Sequence, residues 1–387
     1  MKFIVEKSVF MNVLTPAMGT VSNKNTISSI EGVLIETLDD GTIRISTYDM
    51  NKGVRAIFTP IEIEREGRFI INAQRLYQTV RVLPEGELTI DINDKLNCEI
   101  SCGKVSFSIF ATKGADFPNL PDLVSERGFS LNSTTLKKVI GKVYHSVALK
   151  DDRAMLTGAF FKINENGMEV VSCDSYSLSK CNIKCEVDSL AESSDINYSF
   201  IIPGHALVEL TKILPDDDDF KCLFYLSRKH AIIKCEDITF FTRIIDSEYI
   251  DYNRIIPKDN EIKVTVNRER LLSALERANI IADEKIKGSG RSYVKISTER
   301  NYLTLSSVSE NGKVVDEMDC EQTGDEIEIG FNCRFLINCV RVAEGENVII
   351  SLKSPTQAIT IEAKETDEEF SYLYMVLPLR MNSSNKW

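Results

Sequence analysis

The sequence predicts an α+β protein built from three tandem copies of one domain, each with helices on one side of antiparallel strands. Three observations carry this. A motif recurs at domain-length spacing, amphipathic helical stripes open each copy, and alternating segments follow one another through short turns with few helical crossovers.

The repeat runs from Phe69-Ile70-Ile71-Asn72 to Leu83-Pro84, from Phe200-Ile201-Ile202-Pro203 to Leu214-Pro215, and from Ile329-Gly330-Phe331-Asn332 to Ala343-Glu344. With Asn72, Pro203 and Asn332 in register, Leu76, Leu207 and Leu336 coincide, as do Arg81, Lys212 and Arg341. The offsets of 131 and 129 residues are whole domains, far beyond the roughly 20 to 50 residues of solenoid repeats.

Each copy begins with a short strand, Phe3-Ile4-Val5, Phe129-Ser130-Leu131 or Val264-Thr265-Val266, that leads into a helix. In the first copy that helix spans about 8–21, with Pro16 expected to kink it. In the second, Leu136, Val139, Ile140, Val143 and Val147 form one apolar face over 133–150, with Ser133 as N-cap. In the third, Leu271, Leu272, Leu275 and Ala278 repeat the stripe over 267–283. Turns at Asp39-Asp40-Gly41, Asn164-Glu165-Asn166-Gly167 and Glu299-Arg300-Asn301 punctuate the strands that follow. Second helices are expected over 72–83, 203–214 and 333–343, giving an approximate order β-α-β-β-β-α-β-β-β. Proline-bearing joins at Phe117-Pro118-Asn119-Leu120-Pro121 and Ile256-Pro257-Lys258 divide the chain into domains 1–123, 124–258 and 259–381, with a tail 382–387.

At 387 residues the chain is long enough for each domain to bury its own core. No stretch approaches the roughly 18 uninterrupted apolar residues of a membrane span, and the first residues alternate in polarity, so no membrane association and a cytoplasmic location are expected. Ten cysteines contain no Cys-x-x-Cys, and His145, His205 and His230 are scattered, so the expectation is no metal, no cofactor and reduced, core-packed thiols.

The net charge is −12, yet the six expected helices hold 12 Lys and Arg against four Asp and Glu. They are therefore at +8, leaving −20 elsewhere. Taken alone, Lys137, Lys138, Lys142 and Lys150 are a solvated helix face, as most charge runs are. Together with a basic residue repeated at the same helix position in every copy, they favour a surface that follows a repeating polyanion.

The chain resembles the bacterial sliding clamp family, the beta subunit of DNA polymerase III, from Met1 to about Met381. The resemblance rests on Ala115-Asp116-Phe117-Pro118-Asn119-Leu120, Asp251-Tyr252-x-Arg254-Ile255-Ile256-Pro257, Glu328-Ile329-Gly330-Phe331-Asn332 and Leu377-Pro378-Leu379-Arg380, in that order. It implies three DNA-clamp domains per chain and a head-to-tail homodimeric ring of pseudo-sixfold symmetry, with antiparallel sheets outside and helices inside around duplex DNA. It also implies a non-catalytic processivity factor of the polymerase holoenzyme, placed on DNA by an ATP-dependent clamp loader. Its partners would be double-stranded DNA regardless of sequence, a second copy of itself, the replicative polymerase catalytic subunit, the loader, and further polymerases, ligase and mismatch-repair proteins.

Carried over position by position, the resemblance and the helix charges make Lys24, Arg81, Lys137, Lys138, Lys142, Lys150, Arg153, Lys212 and Arg341 the DNA-facing set. The dimer contact would join the edge strand bearing Phe107 and Ile109 to the helix end at Ile280 and Ile281, with internal packing of both isoleucines as the alternative. A partner-peptide pocket between the second and third domains would take Leu156, Cys173, Ser175, Tyr176, Ser177 and Leu178 from one side. The other side would supply Ile250, Arg254, Ile255, Pro355, Met375, Leu377, Pro378, Leu379 and Arg380. After Asp174 the family commonly has a small residue, His or a relative, Arg and Leu. Ser175-Tyr176-Ser177-Leu178 lacks the arginine, which implies an apolar hole with a depleted charged rim.

Two other readings remain at this level. A thiol enzyme using Cys173 or Cys181 would need a nearby base, and no histidine lies in that segment. A triplicated protein-binding scaffold without DNA encirclement would not need basic helices.

Overall fold

The computed structural model describes residues 1–22, 28–121, 123, 125, 127–190, 196–282, 285–286, 290–291, 293–365 and 369–381. Two compact units emerge. One comprises Met1–Lys137, Val187–Asp195 and His205–Ile244, the other Lys138–Glu186, Ile196–Gly204 and Ile245–Trp387. The central sequence copy contributes strands to both.

The α-helices are α1 (Lys7–Ala17), α2 (Ala73–Val82), α3 (Ser133–Val143), α4 (Gly204–Ile213), the short α5 (Tyr252–Ile255), α6 (Arg268–Ala282) and α7 (Cys333–Val342). Four of the long ones start with the same device. Asn72, Asn132, Asn267 and Asn332 each accept a backbone N–H of the first turn through Oδ1, at 2.9 to 3.1 Å. Ser133 is therefore not the cap of α3, as expected, but its first residue, and its hydroxyl donates to the Pro215 carbonyl.

Two helices end earlier than their stripes suggest. Helix α1 gives way to a 3-10 turn at Met18–Thr20, so Pro16 falls in the last α-helical turn and the α-helix ends one residue after it. Helix α3 stops at Val143 because the Ser172 hydroxyl takes the Val143 carbonyl, while the Val147 N–H turns back to Tyr144. Lys150 thus lies on the loop beyond, not on the helix.

The second helix of each copy has its C-terminal end met by a lysine from a first helix, where the macrodipole favours a cation. Lys7 Nζ donates to the Leu83 carbonyl at 2.6 Å and pairs with Glu85 at 2.8 Å. Lys137 reaches the Leu214 carbonyl and Asp216, and Lys142 reaches the Val342 carbonyl and Glu344.

Strands fill the rest. A four-strand run, not three, lies between the helices of the second copy: Gly158–Asn164, Gly167–Cys173, Ser177–Lys184 and Asn197–Pro203, beside the two-residue Asp188–Ser189. The extra strand is the repeat motif itself, an apolar run without alternation that reads poorly as a strand by periodicity. One unit holds an antiparallel sheet of 14 strands and the other one of 12. Both sheets run through a domain join. Strand Ile238–Arg243 pairs with Lys52–Phe58, and strand Phe370–Val376 pairs with Ser177–Lys184. The fourth strand of copies one and two thus receives the last strand of the next copy.

Helix α1 packs on Lys52–Phe58 and beside α2; α6 packs on Tyr302–Val308 and beside α7. No helix among the described residues is long and apolar enough to cross a membrane.

Candidate functional site

Strand Ser177–Lys184 sorts the pocket residues by its two-residue period. Leu178, Lys180 and Asn182 face one way, and Ser177, Ser179 and Cys181 the other. Leu178 stands opposite Met375 in the antiparallel ladder. Around this pair Leu156, Cys173, Val171, Tyr252 and Ala358 form one buried apolar cluster, with Ile250, Tyr249 and Phe160 packed against it. Phe160 and Tyr249 stack at 5.2 Å. The last segment of the second domain is held down by the Tyr252 hydroxyl on Glu169, which also pairs with Lys180 at 2.6 Å.

Above this floor lies an apolar surface left open. Tyr176 is 58% exposed, Ile255 44% and Leu377 39%. Tyr176 stacks on Phe335 at 5.7 Å, and its carbonyl accepts the Leu377 N–H at 2.8 Å. Leu379 forms a bridge to Gly330. Pro355 and Arg380 are exposed, Pro378 and Leu379 half-buried, and Arg254 is exposed and paired with Asp251 at 2.8 Å. A polar cleft lined by Lys180, Asn182, Lys258, Glu362 and Leu373 continues along the same face.

The rim turn is built by Asp174, whose Oδ1 accepts the N–H groups of Tyr176 and Ser177 at 2.9 and 2.6 Å. This holds Ser175 at φ +78°, a conformation few side chains adopt. The missing arginine of Ser175-Tyr176-Ser177-Leu178 would have stood at position 177. Position 177 lies on the helix-facing side and is buried, its hydroxyl bonded to Ser146, so a polar residue there does not reach the rim. Arg153 does. Its guanidinium grips Asp151 at 3.0 and 3.1 Å and donates to the Ser175 hydroxyl, and those hydrogen bonds hold the Asp151 carboxyl below its ordinary range.

Beneath the rim, Ser177, Ser146, Ser179 and His145 form a buried hydrogen-bonded chain, with His145 Nε2 3.1 Å from Ser179 Oγ and 3.7 Å from Cys339 Sγ. Sequence reasoning placed no histidine here, since its partners lie on a different element. Burial pushes the His145 imidazole down to about 4 and the Cys181 thiol up to about 12, and raises Cys173 and Cys339 as well. An activated thiolate requires the opposite shifts. Among the described residues, no group of three or more His, Cys, Asp and Glu is arranged to hold a metal.

The expected DNA-facing residues divide. Lys24 lies outside the described residues. Arg81 and Lys150 are exposed, and Lys212 and Arg341 are exposed with single partners, Glu209 at 3.0 Å and Glu276 at 2.9 Å. Such surface pairs are weak and exchange readily for another anion. Lys138 spreads over the Phe370 ring and sits 3.5 Å from Glu344, while Lys137 pairs with Asp216. Lys142 is a correction. It is buried between the Val342 carbonyl, Glu344 and the Tyr372 ring, so its charge is spent inside the fold. Exposed Arg75 on α2 is a cation the earlier selection passed over.

At the expected dimer contact, strand Val105–Lys113 pairs with Asn97–Cys102 through residues 105–110 and with Arg68–Asn72 only through 111–113. The free edge of 105–110 carries exposed Val105, Phe107 and Phe110, with Ile109 half-buried. On α6, Ile280 is 71% exposed and Ile281 half-buried, so the internal-packing alternative fails for Ile280.

Known proteins resemble the chain along nearly its whole length. Profiles of the DNA polymerase III beta subunit match residues 1–121 (N-terminal domain), 130–251 (central domain) and 253–380 (C-terminal domain). The beta sliding clamp of Bacillus subtilis is 26% identical over 98% of this chain and 100% of its own length. That of Escherichia coli is also 26% identical, with the same coverage. The crystal structure of the Bacillus subtilis DNA polymerase sliding clamp gives a TM-score of 0.88 at 25% identity, covering 99% of this chain and 100% of that one.

Proposed function

The chain belongs to the DNA polymerase III beta subunit family, and we propose that two copies close head to tail around duplex DNA as a sliding clamp. In this role the protein is a non-catalytic processivity factor. It keeps a polymerase at high effective concentration near its primer end through topology, even where each contact is weak.

One observation carries the ring. The fourth strand of copy one takes the last strand of copy two, and the fourth strand of copy two takes the last strand of copy three. Among the described residues the same rule leaves two edges without a second strand: residues 314–319 of strand Lys313–Thr323, paired on one side to Tyr302–Val308, and residues 105–110 of copy one. A second chain satisfies both edges by the pairing already used twice within each chain. Such a head-to-tail contact closes when its rotation completes a circle. Ile280, Ile281, Phe107 and Ile109 flank that junction in this reading.

The six long helices of the structure hold 12 Lys and Arg against three Asp and Glu, in keeping with a lining that meets phosphates without reading bases. Arg81, Lys150, Lys212 and Arg341 are the cations we assign to DNA. The apolar surface of Tyr176, Ile255 and Leu377 over the Leu178–Met375 floor takes a short peptide of the polymerase catalytic subunit or of the clamp loader. Arg153 provides its charged rim. Other polymerases, ligase and mismatch-repair proteins would compete for the same surface.

The test is retention on DNA. After loading by a clamp loader and ATP, the protein should stay on a nicked circle and leave once the circle is linearised. Persistence on linear DNA with free ends would contradict topological binding; absence from both substrates would favour a protein-binding scaffold.

A further inference from the structure

Ten cysteines are present, and the clamp reading uses none of them chemically. Two stand apart. Cys222 and Cys235 occupy adjacent antiparallel strands, Lys221–Leu226 and His230–Cys235, one step beyond the ladder pair Leu223 and Lys234. Their sulfurs are 3.1 Å apart, closer than two unbonded sulfurs ordinarily rest. Directly opposed residues on neighbouring antiparallel strands have Cα atoms about 4.5–5.5 Å apart, within the roughly 4.4–6.8 Å that a disulfide spans.

We infer that Cys222 and Cys235 form an oxidation site, which a peroxide converts into a cross-strand disulfide across the open end of this hairpin. The pair is polarised for it. The hydrogen bond from Cys235 draws the Cys222 thiol below its ordinary range, and that same contact, with burial, pushes Cys235 up. The Cys222 thiolate attacks one peroxide oxygen, the O–O bond breaks, and a sulfenic acid forms while the departing hydroxide takes a proton to become water. Cys235 then loses its proton and attacks the Cys222 sulfur. The S–S bond forms, the S–O bond breaks, and the second hydroxide leaves as water. Two thiols and one peroxide thus give one disulfide and two waters. Both sulfurs are nearly inaccessible, Cys222 at 0% and Cys235 at 3% exposure, so oxidation needs a transient opening of the hairpin end, and hydrogen peroxide needs a smaller one than larger disulfide oxidants do. The closed bond would tie the strand ends next to the start of α3, where the Ser133 N–H and hydroxyl hold the Phe220 and Pro215 carbonyls.

The experiment exposes the folded full-length protein to hydrogen peroxide, blocks remaining thiols with N-ethylmaleimide, and digests without reduction. A linked peptide pair containing Cys222 and Cys235 is expected, abolished by dithiothreitol and absent from C222S and C235S. Recovery of both residues as maleimide adducts, at a dose that oxidises methionines in the same sample, would overturn the inference. So would a linkage from either residue to a different cysteine. Should a serine variant fail to fold, the wild-type digest alone decides.

Discussion

Truncating Leu377 and Ile255 together to alanine tests peptide binding, because both residues keep a large exposed fraction over a buried floor. Full burial of a Leu or Ile side chain contributes about 1.5–3 kcal/mol. A peptide that covers the remaining 39% of Leu377 and 44% of Ile255 gains those fractions. Each is worth roughly 0.6–1.3 kcal/mol. The double variant L377A/I255A should therefore lose about 1.2–2.6 kcal/mol of affinity, on the order of tenfold to eightyfold in Kd, if the two contacts add. The parts already buried cost folding about 1 to 2 kcal/mol per residue on truncation, so a thermal melt is recorded alongside. The assay is fluorescence anisotropy with a labelled polymerase-derived peptide bearing two apolar anchors. A change of less than about twofold, in a variant that still melts cooperatively, would refute the assignment of this surface.

At the chain–chain edges, F107D with I280D should shift the protein from dimer to monomer in sedimentation velocity, because each places a charge on an apolar contact; an intact dimer rejects that interface. N332A removes the side-chain acceptor from the start of α7 and should cost about 1 kcal/mol in urea denaturation, whereas no change would mean that water replaces it fully. Burial alone would raise the Glu344 carboxyl and does lower the Lys142 ammonium, but Lys142 and Lys138 facing the carboxyl bring it below its ordinary 4.5. A depressed carboxylate contributes stability that is present above about pH 4.5 and is lost as pH falls through its folded value, while Lys142 stays charged throughout. Melting temperature should therefore fall less steeply below that pH in K142M than in wild type; equal slopes would refute the coupling.

The backbone was legible in the sequence to the extent that local rules govern it. The bounds of α2, α4, α6 and α7 fall within one residue of their apolar stripes, and Asn72 and Asn332, the residues that set the repeat in register, prove to be helix caps. What escaped was decided across the chain. Helix α3 loses its last turn to a hydroxyl 29 residues away, and Lys142 is withdrawn from solvent by Glu344 and the α7 terminus, 200 residues on. The rim cation was misread for the same reason. A strand's alternation tells which residues share a face, so the inward course of Ser177 follows from Leu178 lying in the floor. That Arg153 would arrive at Ser175 follows from nothing local.

Why the proposed peptide surface lies at one junction and not at both within the chain is a question of two side chains. The joins use the same strand pairing, so Gly53 corresponds to Leu178, each being the second residue of its strand and the one that closes the hairpin ladder next to the turn. Their cross-join partners are Phe241 and Met375. At the first join the Phe241 ring lies over Gly53 so closely that a Cβ there would come within 2.3 Å of it. The ring is fully buried, 5.7 Å from Tyr48, in a cluster with Leu34, Ile70, Phe117 and Ile232. A glycine accepts a neighbour's ring and the join becomes solid core. At the second join a leucine excludes such a ring, the thinner methionine takes the facing place, and Leu377, Ile255 and Tyr176 remain uncovered above them. Repetition of the domain thus supplies the backbone of both sites, while the exchange of a Gly–Phe pair for a Leu–Met pair decides which one is left open to an outside anchor.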